Sequence, residues 1–402
     1  MRLGRISTSF LCLLTASSGL PTAQVPLLHD EDTGNRSISV KLFAGLEELA
    51  RIVDISYCVG ATGLGIHKPF QCLSRCSEFE NFELVTTWNT GPLLSDSCGY
   101  IALSHPPSAP RIILAFRGTY SIANTIADLS TLPQEYLPYP GGDDTSHDQA
   151  SLLDKALDSL HVSKRGASHS TADKCTNCTV HSGFYRSWLN TRSKILADLA
   201  QARAAYPSYT LTLVGHSLGG AVATLAALDF DARGWEPHVT TFGEPRVGNE
   251  HLMRYIDSHL VEPPNGTAAA TDSNPAKRRF RRVTHAGDPI PLLPLEEWGY
   301  HMHAGEIFIG KANLPPSVAD LEYCNGDEDP ECIAGGGTGT AVQPAAWPWE
   351  KDGGWSVPAR YKLWQLFFAH RDYFWRLGLC VPGGDPRDWY RKYPRYDDGD
   401  EL

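Results

Sequence analysis

The chain has 402 residues, 42% of them hydrophobic, which is enough for one large domain or two smaller ones with a sizeable core. Its formal net charge of −11 at pH 7 argues against a nucleic-acid-binding protein. The one basic run, KRRFRR at 277–282, is expected to lead a solvated loop into a strand. No stretch of the sequence is long and apolar enough to predict a transmembrane helix.

The N-terminus has the pattern of a secretory signal peptide. Arg2 and Arg5 precede an apolar stretch at 10–16, and small residues follow. We therefore predict a signal peptide over 1–20 and an extracellular protein; the alternative for this segment is a buried N-terminal helix. The C-terminal GDEL resembles endoplasmic reticulum retention signals, but Gly399 stands where those signals carry a cation. The lumen of the endoplasmic reticulum is therefore kept as the alternative location.

Cysteine spacing also favours an oxidising compartment. Nine cysteines remain beyond Cys12 of the predicted signal peptide, and the short spacings in CLSRC and CTNC are typical of local disulfides. CTNC could instead be a redox pair or half of a zinc site, but no second CxxC is present to complete four ligands. Three Asn-x-Ser/Thr sequences predict glycosylation at Asn35, Asn177 and Asn265 if these residues are exposed, although a disulfide within CTNC would work against a sugar on Asn177.

Apolar runs ended by turn residues predict four strands, at 111–118, 209–215, 238–245 and 280–285. Residues 184–206 carry apolar side chains at helical spacing between the first two runs, and a small-residue helix is predicted from Ala221 to Phe230. Strands that alternate with helices indicate an α/β fold with a mostly parallel sheet and helices on both faces.

Three polar segments rich in Pro, Gly, Ser, Asn or Thr interrupt this pattern, at 130–174, 262–276 and 325–358. Loops of that length in a compact domain are usually covers over a site or excursions from the fold. We predict one domain over 24–380, with 130–174 as its main insertion, and an exposed tail over 381–402.

The stretch LTLVGHSLGG places Ser217 between Gly215 and Gly219, with a predicted strand before it and a helix after it. This is the context of a nucleophile elbow, in which the sharp turn is crowded and the neighbouring positions must lack side chains. A hydroxyl at such a helix N-terminus lies near free N–H groups that stabilise an oxyanion. The alternative is a structural Gly/Ser turn.

A serine nucleophile needs a base and an acid that orients the base. Asp288 follows the strand at 280–285 and would lie at the same sheet edge as Ser217, whereas Asp229, Asp231 and Asp257 fall in or beside helical patterns. Several histidines after Ser217 lie outside the predicted strands, and His370 comes late enough to reach back over the sheet. The residue pattern alone leaves the other candidates open: His251, His259, His301 and His303.

Five motifs in order, VHSGFYRSW, GHSLGG, TFGEPRVGN, RVTHAGDPIPLLP and GYHMHAGE, resemble those of the fungal class 3 lipases and related feruloyl esterases over about residues 40–380. The resemblance implies an α/β-hydrolase fold. It also implies that Ser217 is the nucleophile, Asp288 the acid and His370 the base. Leu218 and Thr119, the latter in FRGTYS, would supply the oxyanion hole.

The resemblance further implies the cysteine pairing and the role of the other histidines. Cys98 would be left without a partner, and His285, His301 and His303 would be structural. The implied disulfides are Cys58–Cys380, Cys72–Cys76, Cys175–Cys178 and Cys324–Cys332.

The lid region departs from the family pattern. Thr125 stands where fungal lipases commonly carry a tryptophan, although Ile122, Ile126 and Leu129 still form an apolar stripe. The stripe could close over the site and open onto lipid, or could simply pack on the sheet.

Together these patterns predict a secreted carboxylic-ester hydrolase, a triacylglycerol lipase that acts through an acyl-enzyme at a lipid–water interface. No cofactor is implied; the chain has no HExxH motif, and DEDPE at 327–331 is expected to be a solvated turn rather than a calcium site.

A soluble-ester or feruloyl-type esterase is the alternative enzyme, favoured by Glu244 in FGEPR and by the implied bridge between Cys324 and Cys332. A secreted binding protein on the same scaffold is the non-enzymatic alternative. The sequence indicates no oligomeric state.

Overall fold

The computed structural model describes residues 36–60, 65–91, 96–119, 133–139, 175–261, 278–337 and 368–382. The predicted signal peptide, the lid residues Ile122, Ile126 and Leu129, and most of the insertion at 130–174 lie outside these ranges. So do Asn35 and Asn265 and the tail beyond residue 382.

Within the described ranges, four α-helices cover the faces of the sheet: α1 Val40–Ile55, α2 Ser182–Ala205, α3 Leu218–Ala232 and α4 Glu250–Ile256. Three begin at a polar cap, because the side chains of Ser39, His181 and Asn249 accept a hydrogen bond from a backbone N–H in the first turn of α1, α2 and α4. Helix α3 is built mostly from small side chains and is buried over nearly its whole length, so it lies close to the sheet.

The central sheet has eight strands in the order β1-β2-β3-β6-β7-β8-β9-β10. Strands β3, β6, β7, β8 and β9 pair in parallel, and the pairs at both edges are antiparallel. Strands β4 and β5 form a separate two-stranded sheet. The strands are β1 Phe82–Asn89, β2 Cys98–Ser104, β3 Arg111–Phe116, β4 Pro133–Glu135, β5 Thr179–His181, β6 Thr210–His216, β7 His238–Phe242, β8 Phe280–His285, β9 Glu306–Ile309 and β10 Leu321–Tyr323.

The four predicted strands are the parallel centre of the sheet, β3, β6, β7 and β8. The edge strands were not predicted individually, because β1 alternates buried and exposed side chains only in part and β9 and β10 are very short. The α/β class with a mostly parallel sheet is confirmed.

The core is divided by the sheet into two layers. In β3, Ile112 and Leu114 face one layer with α2, α3 and α4, whereas Ile113 and Ala115 face the other with α1 and the C-terminal segment 368–382. Alternate side chains of one strand therefore hold helices on both faces, as a doubly covered sheet requires. Among the described residues, no helix is both long and apolar enough to cross a membrane.

Four disulfides are present, with the pairing that the resemblance implies: Cys58–Cys380, Cys72–Cys76, Cys175–Cys178 and Cys324–Cys332. Cys98 is a buried free thiol that donates to the Asn89 side chain. The bridge between Cys58 and Cys380 joins the end of α1 to the C-terminal segment across a sequence separation of 322 residues.

Candidate active site

Ser217 occupies a sharp turn between β6 and α3. Its backbone has φ 57° and ψ −131°, a conformation that residues other than glycine rarely adopt. The turn is held by a hydrogen bond of 2.9 Å from the Ser217 N–H to the Phe242 carbonyl on β7. The strain at this position is the backbone signature expected of a nucleophile elbow.

The glycines around Ser217 are required by close backbone contact. A Cβ at Gly215 would lie 2.2 Å from the Gly219 carbonyl oxygen, and a Cβ at Gly219 would lie 2.4 Å from the Phe116 carbonyl oxygen on β3. Both distances are far below van der Waals contact, so any side chain would push the turn away from the sheet. The G-x-S-x-G spacing therefore has a direct steric cause.

Asp288 lies just beyond the C-terminal end of β8 and is 1% exposed. Its Oδ1 accepts a hydrogen bond of 2.9 Å from the Ile290 backbone N–H, and its Oδ2 accepts one of 2.5 Å from the Tyr373 hydroxyl. The remaining partner is His370, whose Nδ1 lies 3.0 and 2.9 Å from the two carboxylate oxygens. The carboxylate is thus surrounded by donors.

These donors offset the cost of burying a charge. Burial on its own raises the pKa of Asp288, but the His370 imidazole and the hydrogen bonds from Tyr373 and Ile290 bring the pKa below its usual value. Asp288 is therefore ionised at neutral pH and fixes the proton of His370 on Nδ1.

His370 is 1% exposed, and its Nε2 has no hydrogen-bond partner within the described part of the chain. With Nδ1 held by Asp288, Nε2 is the atom left to accept a proton. A Cβ at Gly243 would lie 2.9 Å from both His370 Cε1 and Asp288 Oδ2, and the φ of Gly243 is +59°. Only glycine allows the turn after β7 to pass under this pair.

His370 also lies against the Ser217 turn. The Nε2 of His216, the residue before Ser217, is 2.8 Å from the backbone carbonyl of His370, and the two imidazole rings are 4.8 Å apart. Ser217 and Asp288 thus follow the C-terminal ends of β6 and β8, and His370 contacts both Asp288 and the residue before Ser217.

The residues predicted for the oxyanion hole flank this turn. Leu218 is the first residue of α3, where a helix has no internal acceptor for its N–H groups. Thr119 follows Gly118, and a Cβ at Gly118 would lie 2.8 Å from the Cβ of Ser217. The loop after β3 and the start of α3 thus border the Ser217 side chain from two sides.

The other histidines contact backbone or neighbouring side chains. His285 Nε2 lies 3.0 Å from the Lys311 carbonyl, and His303 lies beside Glu244, whose carboxylate accepts hydrogen bonds from Thr224 and Thr241. His301 pairs with Glu328 at 3.5 Å. None of these three imidazoles is hydrogen-bonded to Asp288 among the described residues.

One group of side chains has the composition of a metal site. Ligand atoms of Glu296, His301 and Glu328 lie within 4.8 Å of one another, but both glutamates are exposed, and Glu296 lies 3.9 Å from Arg246.

The expectation that DEDPE is solvated is wrong for Asp329, which is 4% exposed and accepts hydrogen bonds from the backbone N–H groups of Asn325 and Glu331.

Three contributors were missed by reasoning from the sequence: Tyr57, Tyr373 and Gly243. Tyr373 lies three residues after His370 in HRDYF, and this closeness in sequence is the signal that could have pointed to Tyr373. Tyr57 lies far from the other residues in sequence, and its contact with His216 joins residues 159 positions apart.

A family model described as "Lipase (class 3)" matches residues 113–298. A relative named secreted mono- and diacylglycerol lipase 2, from Gibberella zeae, is 51% identical, over 89% of this chain and 86% of its own. The chain belongs to the class 3 lipase family. Lipase A of Sodiomyces alcalophilus is 48% identical, over 94% of this chain and 91% of its own.

Solved structures agree with this assignment. The Lip2 lipase of Yarrowia lipolytica is 29% identical, with a TM-score of 0.64 over 86% of this chain and 97% of its own. A mutant MDLA of Penicillium cyclopium, 24% identical with a TM-score of 0.57, supports the fold. The predicted family, the α/β-hydrolase fold and the ester-hydrolase activity are confirmed, and this class 3 lipase carries its candidate site where the strands of that fold end.

Proposed function

We propose that this lipase cleaves acylglycerol esters through an acyl-enzyme formed on Ser217. His370 Nε2 takes the proton of the Ser217 hydroxyl as the oxygen attacks the ester carbonyl. The carbonyl oxygen gains the negative charge, which the N–H groups of Leu218 and Thr119 and the Thr119 hydroxyl stabilise. Asp288 holds the His370 ring and stabilises the imidazolium.

The intermediate collapses when His370 gives its proton to the leaving glycerol oxygen, which breaks the ester bond and leaves the acyl group on Ser217. Water then enters, loses a proton to His370 and attacks the acyl carbon. The proton returns to the serine oxygen, and the free fatty acid leaves. Each cycle consumes one ester and one water and restores the starting proton positions.

The observation that supports this proposal most directly is the buried Asp288–His370 pair beside the strained Ser217 turn. The pair satisfies Nδ1 and leaves Nε2 with no partner among the described residues, although His370 is 1% exposed. An unpartnered Nε2 can accept a proton, and its place beside the Ser217 turn is what supports that role for His370.

Acylglycerols at a lipid–water interface are the proposed substrates, with triacylglycerol as the first candidate. Mono- and diacylglycerols are the second candidate, favoured by the name of the Gibberella zeae relative at 51% identity. Initial rates on emulsified tri-, di- and mono-oleoylglycerol would decide between them, and methyl ferulate is the probe for a feruloyl-type esterase. A rate on methyl ferulate above the rates on all three glycerides would overturn the lipase substrate class.

The mechanism is tested by labelling with an active-serine phosphonate and by mutation. We expect the phosphonate to label Ser217 at one equivalent, and we expect Ser217→Ala and His370→Ala to lower kcat by about 10⁴-fold or more. Labelling of another residue, or a Ser217→Ala variant with near wild-type activity, would contradict the proposal.

We further propose that the enzyme acts outside the cell, a location supported by the names of the relatives from Gibberella zeae and Penicillium camembertii, both called secreted. Expression of the full chain in a fungal host, followed by activity measurement in medium and cells, tests this location. Retention of all activity inside cells, relieved when the last four residues are deleted, would instead support the endoplasmic reticulum.

A further inference from the structure

A buried tyrosine and a buried histidine connect three parts of the site. Tyr57 lies in the short turn Ser56–Cys58 after α1, and its hydroxyl is 2.5 Å from His216 Nδ1. The other ring nitrogen of His216 is 2.8 Å from the backbone carbonyl of His370. Tyr57 and His216 are each 2% exposed, so water does not compete for these contacts.

The chemistry of the atoms fixes the direction of each hydrogen bond. A carbonyl oxygen only accepts, so His216 Nε2 carries a proton and donates it to His370. Burial and the nearby His370 lower the pKa of His216 to about 3, so the ring is neutral and its Nδ1 is an acceptor. The Tyr57 hydroxyl, whose pKa burial raises, therefore donates to His216.

The same hydroxyl also contacts the loop after β3. The Gly118 backbone N–H hydrogen-bonds to the Tyr57 oxygen, and a Cβ at Gly118 would lie 2.5 Å from that oxygen. Gly118 is followed by Thr119, the proposed oxyanion donor. One phenol thus receives a hydrogen bond from the oxyanion loop and gives one to the residue beside the nucleophile.

We propose that Tyr57 and His216 are positioning residues, which hold the oxyanion loop and the backbone of His370 at a fixed separation from Ser217. The inference rests on the proposed function, because it takes Ser217, His370 and Thr119 as the reacting groups. A displacement of about 1 Å between reacting groups can lower a rate by about 100-fold, so a rigid link of this kind affects turnover more than substrate binding.

His216 does not itself serve as the base in this proposal. Its Nε2 donates a hydrogen bond to the His370 carbonyl, and its Nδ1 accepts one from the Tyr57 hydroxyl. A glutamine at 216 can reproduce both contacts, since its amide oxygen accepts and its amide nitrogen donates, whereas it cannot exchange a proton at neutral pH. A leucine can make neither contact.

The test uses the full-length enzyme and p-nitrophenyl butyrate below its solubility limit, so that no lipid interface contributes. We expect His216→Leu to lower kcat by about 100-fold and Tyr57→Phe by about 10-fold, with KM within about twofold of wild type. We expect His216→Gln to restore kcat to within about threefold of wild type. Rates are expressed per site titrated with the phosphonate, so that unfolded protein does not count.

Tyr100→Phe is the matched control for the loss of a buried phenol. The Tyr100 hydroxyl donates to the Ile52 carbonyl at 2.8 Å and makes no contact with the site. We expect this variant to lower the unfolding midpoint about as much as Tyr57→Phe, with kcat unchanged.

Three results would overturn the positioning role: His216→Leu with wild-type kcat, His216→Gln as impaired as His216→Leu, or Tyr57→Phe with the kcat of Tyr100→Phe. The second would assign chemistry to the imidazole itself. Failure of the proposed function is a separate result, because it would appear as full activity in Ser217→Ala whatever the variants at 57 and 216 do.

Discussion

Two buried carboxylates hold the C-terminal segment 368–382 to the domain, and they do so in different ways. Asp288 and Asp54 are each 1% exposed. Asp288 binds the side chain of His370, whereas Asp54, near the end of α1, accepts the backbone N–H of Gly378 at 2.8 Å.

The pKa of Asp54 is raised and that of Asp288 is lowered, although both carboxylates are equally buried. The only charged group hydrogen-bonded to Asp54 among the described residues is Arg75, with Nε at 3.4 Å, and burial raises the pKa of Asp54 to about 6. Around Asp288, shorter bonds from His370 and Tyr373 outweigh burial and the pKa is lowered. The comparison indicates that the number and closeness of donors, rather than depth in the protein, decide whether the pKa of a buried carboxyl group is raised or lowered.

The same substitution, Asp to Asn, at both sites tests the difference between the two carboxylates most directly. Asp288→Asn replaces the carboxylate with a neutral amide whose NH2 can donate to His370 Nδ1, so the proton of His370 is no longer fixed on Nδ1. We expect kcat on a soluble ester to fall by about 10⁴-fold. Asp54→Asn is the matched control, expected to leave kcat within about threefold of wild type, because it keeps an acceptor for Gly378 and Asp54 makes no hydrogen bond to Ser217, Asp288 or His370 among the described residues. Equal losses at both positions would show that Asp288 acts only through the fold.

The next largest effect is expected at the disulfide beside Asp54. The bridge between Cys58 and Cys380 closes a loop of 322 residues, so the double variant Cys58→Ser/Cys380→Ser should lose about 6 kcal/mol of unfolding free energy in the chain-entropy model. Chemical unfolding monitored by fluorescence measures this loss. The double variant Cys72→Ser/Cys76→Ser, which opens a loop of only 4 residues, is the control and should lose clearly less.

A smaller effect follows from removing one donor of Asp288. Tyr373→Phe deletes a hydrogen bond to a charged group, so we expect it to lower the unfolding free energy by about 1.5 to 3 kcal/mol and to raise the pKa of Asp288 toward its usual value. Tyr100→Phe removes a bond to a neutral carbonyl and should cost about 1 kcal/mol. A Tyr373→Phe variant no less stable than Tyr100→Phe would mean that Tyr373 contributes little to the charge of Asp288.

The smallest predicted effect is on the pH dependence of stability, which should have opposite signs for the two carboxylates. The pKa of Asp54 is raised from 3.8 to about 6, so the folded state binds the proton more tightly than the unfolded state. The stability of wild type relative to Asp54→Asn should therefore increase as pH falls from about 7 to about 4.

For Asp288 the pKa is lowered from 3.8, so its stabilisation is present above that value and is lost as pH falls below it. The stability of wild type relative to Asp288→Asn should be constant between about pH 7 and pH 5 and should decrease below about pH 4. Chemical unfolding of the three proteins across this range measures both curves. If both stability differences changed in the same direction as pH falls, the assigned directions of the two pKa shifts would be refuted.

The centre of the fold and two of the reacting residues could be predicted from local sequence. The parallel strands β3, β6, β7 and β8 are continuous apolar runs, and the steric need for Gly215 and Gly219 marks Ser217. Asp288 follows from the rule that parallel strands end at the same edge. His370 needed the resemblance, because the residue pattern alone left several histidines open.

The remaining features depend on contacts that no local pattern encodes. Tyr57 meets His216 across 159 residues, and Asp54 meets Gly378 across 324, so neither contact leaves a periodic signal. The antiparallel edge strands are short or only partly alternating, which hides them among turns. Asp329 looked solvated within an acidic run, but its two backbone hydrogen bonds form only after the loop has folded.

The position of His370 in the chain has a consequence for biosynthesis. All eight strands of the central sheet precede residue 324, whereas the histidine arrives with the segment 368–382. A ribosome therefore completes the sheet and the Ser217 turn before it makes His370 and the segment that packs on the α1 layer. The nascent chain can close only the layer of α2, α3 and α4 before that segment arrives, so the α1 layer and the Asp288–His370 pair are completed together, late in synthesis.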